Sequence, residues 1–67
     1  MRIQSLLDQR NDFERIAGDA ETTPDYLIQL AYGFSKASPQ LAKRLEKATN
    51  GRTTRYELRP DVYEDAA

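Results

Sequence analysis

The chain has 67 residues, no cysteine, no histidine and a net charge of −1. One small domain is all this length builds, and neither a disulfide, a zinc cluster nor a Ser/His or Cys/His nucleophile pair is available to it, so no enzyme and no cofactor are expected. A core this small supplies on the order of 3–5 kcal/mol of net stability, which points to self-association as reinforcement.

In chain order, Ile3, Leu6 and Leu7 predict a first helix with Arg2 and Gln4 outside. Phe13, Ile16, Ala17 and Ala20 continue almost the same period. A break is expected at Asn11, which can cap a new helix while Glu14, three residues on, returns a bond to the cap backbone. The second helix is expected over Asp12–Ala20, with a loosened end because Gly18 costs about 1 kcal/mol relative to alanine. Glu21-Thr22-Thr23 then forms a turn.

The stretch from Pro24 to Tyr32 predicts a helix with two unlike faces. Thr23 caps it through its hydroxyl, and Pro24 takes the first helical position, where its missing N–H costs nothing. Leu27, Leu30, Ala31 and Phe34 recur at helical spacing and make an inward stripe. At about 100° per residue, Asp25, Ile28, Gln29 and Tyr32 lie on the opposite side, and Gly33 ends the helix. That opposite face is expected to meet a partner, with DNA favoured.

Ser38 and Pro39 open the next helix, with Leu41, Ala42, Leu45 and Ala48 inward and Lys43, Arg44 and Lys47 outward. Asn50-Gly51 stops it. From Arg52 to Pro60, Thr54 and Glu57 fit the cap of one further helical turn, while Thr53-Thr54 also suits an extended strand; a short helix is the choice. Leu27, Leu30, Leu41 and Leu45 are expected in the core, with Tyr56, Leu58 and Val62 along its edge. The domain is expected over residues 1–62 and a disordered tail over 63–67. No stretch approaches the roughly 20 apolar residues of a membrane span, and Met1–Leu7 lacks the apolar run of a secretory leader, so the cytoplasm is the expected compartment.

Charge is unevenly spread. Residues 1–33 carry three arginines against six carboxylates, and residues 36–59 carry seven basic residues against two glutamates. A basic segment therefore follows the two-faced helix; a solvated surface is its bland reading, phosphate contact its functional one.

Helix, turn, two-faced helix, connector and fourth helix together resemble the helix-turn-helix domain of phage Cro and repressor proteins. The closer resemblance is to YdaS-like, Cro-related regulators and antitoxins of prophages. It rests on T-P-D-Y-L-I-Q-L-A-Y-G from Thr23, S-P-Q-L-A-K-R-L-E-K-A-T-N-G from Ser38, and T-R-Y-E-L-R-P-D-V-Y from Thr54, the last being the most specific. Two positions depart from the family pattern: Glu21 stands where a glycine usually makes the turn, and Thr22 where a hydrophobic residue follows it. The resemblance implies an all-α, four- to five-helix, lambda-repressor-like domain that binds operator DNA as a homodimer, regulates transcription and has a possible toxin protein as partner.

It also implies that the helix 24–32 enters the major groove. On that basis Gln29 is the expected base reader, its amide pairing with adenine N7 and N6. Ile28 is expected at a thymine methyl, Asp25 at cytosine N4, and Tyr32 on the same face. Thr23, Lys36, Lys43 and Arg52 are the expected phosphate contacts, which fix register without reading sequence. Tyr26 either packs or reaches a phosphate, and Arg55 and Arg59 are expected to pair with Glu57 or Asp61. The alternative is a protein-interaction module that keeps this fold without DNA binding, favoured by the −1 charge, Glu21, and exposed Ile28 and Tyr32.

Overall fold

The N-terminal period breaks where the sequence predicts, by a different device. In the computed structural model, which describes residues 2–63, α1 spans Gln4–Leu7, a 3-10 turn spans Arg10–Asp12, and α2 spans Phe13–Ala20. The expected Asn11–Glu14 cap is not formed: Asp12 precedes α2, and its side chain makes no cap bond. Gln9 holds the break instead. Its side chain is buried and donates from Nε2 to the Ser5 carbonyl at 2.9 Å and to Thr53 Oγ1 at 3.1 Å. With Gln9 turned inward, the backbone bond from Asp12 N–H to the Gln9 carbonyl closes a tighter turn than a continuing α-helix makes.

Phe13, Ile16, Ala17 and Ala20 of α2 are all buried. Its end is closed, not loose. Glu21 adopts the left-handed conformation at φ 59° and ψ 44°, so Thr22 N–H reaches back to the Ala17 carbonyl at 2.8 Å and Glu21 N–H to that of Gly18 at 3.3 Å. α3 (Pro24–Ala31) follows, with Thr23 Oγ1 accepting from Tyr26 N–H at 3.2 Å and Pro24 in the first turn. Leu27, Leu30 and Ala31 are buried, as their spacing requires. Phe34 is not: it is 81% exposed. The stripe stops because Gly33, at φ 83°, turns the chain before Phe34 can continue the helical face. Phe34 N–H bonds the Gln29 carbonyl at 2.8 Å, which directs the ring outward.

α4 (Pro39–Ala48) begins at Ser38, whose hydroxyl accepts from Leu41 N–H, and ends in left-handed Asn50 and Gly51. Ala42, Leu45 and Ala48 are buried, whereas Leu41 is half-buried and packs at the rim of the core. The 52–60 stretch resolves in favour of helix: α5 is Arg55–Leu58, capped by Thr54 accepting from Glu57 N–H. Leu58 is buried and Tyr56 half-buried, but Val62 lies 47% exposed, in the turn after Arg59. Tyr63 packs against the core and donates its hydroxyl to the Pro39 carbonyl at 3.2 Å. Tyr63, the first residue of the tail expected over 63–67, is therefore held by the fold, and residues 64–67 lie outside the described residues.

The five helices make one layer of short rods around a single core, and no strand occurs among the described residues. α2 packs on α3 and α4, α1 on α3, and α5 on α4. α2, the turn at Glu21 and α3 are a helix-turn-helix. No helix among the described residues is long and apolar enough to cross a membrane.

Candidate nucleic-acid interface

α3 presents its outer face because its inner face is fully used. Leu27, Leu30 and Ala31 are at most 1% exposed, so helical geometry leaves Asp25, Ile28, Gln29 and Tyr32 outside. Ile28 and Tyr32 keep 44% and 42% of their surface open, and with exposed Phe34 they leave several large apolar side chains uncovered at this end of the molecule. Thr23 is exposed at the N-terminal end, its oxygen occupied by the cap and its hydroxyl hydrogen available to an acceptor.

Lys36 lies exposed just beyond the C-terminal end of α3, in a connector tied down from both sides. Tyr26 donates its hydroxyl to the Lys36 carbonyl at 3.0 Å, so this tyrosine serves the fold. Arg59 donates to the neighbouring Ala37 carbonyl at 3.0 Å. Arg59 also grips Asp61 in a two-point fork, Nε to Oδ1 at 2.9 Å and a terminal nitrogen to Oδ2 at 2.8 Å. That hydrogen bonding pulls the Asp61 carboxyl from 3.8 down to about 2, with the charges of Arg59 and Lys36 adding to it. The pairing of Arg59 with Asp61 is thus as expected; Arg55 instead faces Glu46 at 3.8 Å and lies over the rings of Tyr56 and Tyr63.

Two expected phosphate contacts stand apart from the α3 face. Lys43 is on α4 with its ammonium 5.8 Å from the centre of the Tyr63 ring. Arg52 is exposed in the turn after α4, and α4 packs mainly on α2 and α5. Other cations lie beside the α3 face. Ile3 N–H bonds the Ala31 carbonyl at 2.8 Å, which brings the N-terminal segment to the end of α3 and sets the Arg2 guanidinium 5.7 Å over the Tyr32 ring. Arg10 and Asn11, in the 3-10 turn before α2, line a shallow depression with Leu7, Phe13, Ile28 and Tyr32. Nothing in the spacing of Arg2 or Arg10 points to this place, because it is reached only through long-range packing. Tyr32 also stacks on Phe34, with ring centres 6.4 Å apart and planes at 28°.

The face is therefore mixed: a carboxylate at Asp25, an amide at Gln29, an apolar cluster at Ile28, Tyr32 and Phe34, and cations at Arg2, Arg10 and Lys36 around its rim. Gln29 is held in place. Its Oε1 accepts from the Ser35 hydroxyl at 3.0 Å, while its own backbone carbonyl accepts from Phe34 N–H.

Comparison with known proteins gives a consistent result. Residues 13–67 match the family model described as bacterial toxin YdaS. A prophage transcriptional regulatory protein of Escherichia coli strain K12 is 48% identical over 48 residues, covering 72% of this chain and 73% of that protein. No solved structure matches the chain.

Proposed function

The chain belongs to the YdaS family, and from that membership we propose that it is a transcriptional regulator of Cro or antitoxin type, acting as a homodimer on operator DNA in the cytoplasm. The observation that carries this reading is the outer face of α3, a capped helix whose buried side is satisfied by the core and whose polar side stands open. Helices presented in this way in a helix-turn-helix enter the major groove with their early residues at base edges. Gln29, Ile28, Asp25 and Tyr32 then read bases, and Thr23, Lys36, Arg2 and Arg10 meet phosphates. Lys43, on α4, and Arg52, in the turn after it, are further candidates for phosphate contact.

The relative's description as a prophage transcriptional regulator supports the same reading. The direct test is a mobility-shift titration on duplexes selected from a random pool, run at two salt concentrations. Selected duplexes should bind best, and more weakly as salt rises. Gln29→Ala should reduce discrimination between sites, whereas Lys36→Ala should weaken all sites alike; equal effects from the two would defeat these roles.

A second reading rests on the apolar cluster of Ile28, Tyr32 and Phe34, which suits a protein partner, including a toxin, on the same face. It predicts a complex whose affinity is insensitive to salt, with no duplex preferred over another.

A further inference from the structure

The Gln29 side chain is tethered before any ligand arrives. Gly33 at φ 83° folds the chain back, Phe34 N–H captures the Gln29 carbonyl at 2.8 Å, and this places half-buried Ser35 against the end of the side chain. The Ser35 hydroxyl donates to Oε1 at 3.0 Å. One acceptor site of Oε1 is thus taken by the protein's own Ser35, while the exposed amide keeps its two Nε2 hydrogens for a partner. A hydrogen bond accepted at the carbonyl also polarises the amide and strengthens those donors.

We propose that Ser35 is a positioning residue that sets the polarity of Gln29, so that Gln29 reads by donating and selects guanine over adenine at its base pair. Guanine offers two acceptors, N7 and O6, to the major groove. Adenine offers one acceptor and one donor, and its donor has to share Oε1 with the Ser35 hydroxyl, which takes one of that oxygen's two lone pairs and holds it toward Ser35. This reverses the adenine pairing that an untethered glutamine would make. The inference rests on the DNA-binding reading and specifies what that same site recognises.

The experiment selects duplexes from a random pool with the full-length wild-type chain, Gln29→Ala, Ser35→Ala and Ser35→Thr. The base pair whose preference disappears in Gln29→Ala is the one Gln29 reads. The expected result is guanine at that position for the wild type. Ser35→Ala should lower the preference there by about 3- to 10-fold, the worth of one ordinary hydrogen bond, and leave the other positions unchanged. Ser35→Thr, which keeps the hydroxyl, should restore it. Replacing that guanine by 7-deazaguanine should weaken the wild type and leave Gln29→Ala unaffected. In the free protein, the Gln29 side-chain amide resonances should sharpen toward free-rotor behaviour in Ser35→Ala, at an unchanged melting temperature. Adenine or a pyrimidine at the Gln29 position, or an unaltered preference in Ser35→Ala, overturns this inference and leaves DNA binding standing. Failure of the wild type to enrich any duplex overturns both.

Discussion

Glu21 is the position where backbone geometry and residue type disagree most, and replacing it with glycine should stabilise the protein. The residue sits at φ 59° and ψ 44°, where a side chain crowds the following carbonyl at a cost of about 1–2 kcal/mol. Glycine removes that crowding but adds about 0.5–1 kcal/mol of backbone freedom to the unfolded chain. The substitution also removes the ion pair with Arg44. At 3.9 Å, with side chains 76% and 49% exposed, that pair contributes close to the bottom of the range of roughly 0–1 kcal/mol for surface pairs. The net gain is about 0.5–1 kcal/mol, which raises the melting temperature of a domain this size by about 2–8 °C. Thermal unfolding followed by far-ultraviolet circular dichroism measures it, and urea titration should show a higher midpoint at an unchanged slope. Glu21→Ala separates the causes, since alanine keeps the strained Cβ and loses only the carboxylate. It should gain nothing. A melting temperature for Glu21→Gly at or below wild type, or an equal rise in Glu21→Ala, would refute the strain argument.

Gly18→Ala should also stabilise, by about 1 kcal/mol, because the position is helical and exposed and a Cβ there meets no atom within 4 Å; an unchanged urea midpoint would contradict this. Thr53→Val should cost about 1–3 kcal/mol, since buried Thr53 Oγ1 lies 3.1 Å from both Ser5 Oγ and Gln9 Nε2 and valine strips both groups of a partner; urea denaturation reads the loss. Asp61 is held at about 2 in the folded protein against its ordinary 3.8, so its contribution is complete above that ordinary value and is lost as pH falls toward 2. The gap in melting temperature between wild type and Asp61→Asn should therefore be constant near neutrality and close between those two pH values, and a gap that persists at the acid end would contradict the assignment. If Arg2, Arg10 and Lys36 each neutralise one phosphate, log K for duplex DNA should fall against log salt with a slope of about −3 per protomer, and a slope near zero would exclude those contacts.

The helices that carry local signals were legible in the sequence. Thr23-Pro24 and Ser38-Pro39 each pair a capping hydroxyl with a first-turn proline, and both helices start there. The stop at Asn50-Gly51 and the two-faced pattern of α3 were legible for the same reason: each depends on a few adjacent residues. What escaped was set by distant contacts. The break before α2 comes from Gln9 reaching Thr53, 44 positions away, and no local pattern announces it. Phe34 continues the α3 period on paper, but the period has no meaning past a left-handed Gly33. Leu41 and Val62 are apolar residues whose faces the neighbouring elements only partly cover. On the candidate face, the exposure of Asp25, Ile28, Gln29 and Tyr32 followed from helical geometry alone, whereas the places of Arg2, Arg10 and the Ser35 tether needed the fold.

The distribution of charge along the chain is a poor guide to the charge at its surface, and the difference bears on how such a protein would hold DNA. The basic run from Lys36 to Arg59 looks like a phosphate-binding strip, yet much of it serves the fold. Arg59 is committed to Asp61 and the Ala37 carbonyl, and Arg55 to the tyrosine rings and Glu46. Lys43 lies over Tyr63, and Arg44 faces Glu21. The cations around α3 come largely from the acidic N-terminal third, through Arg2 and Arg10. If α3 meets DNA as proposed, one protomer brings few phosphate contacts, and Asp25 on that face opposes them. Non-specific affinity, which is almost wholly electrostatic, should then be correspondingly low. Two linked protomers on paired half-sites recover affinity through effective concentration without adding charge, and they do so only where both reading helices find their bases. A sparse cationic rim then favours discrimination over tight binding, because the discarded contacts are the ones that every sequence shares.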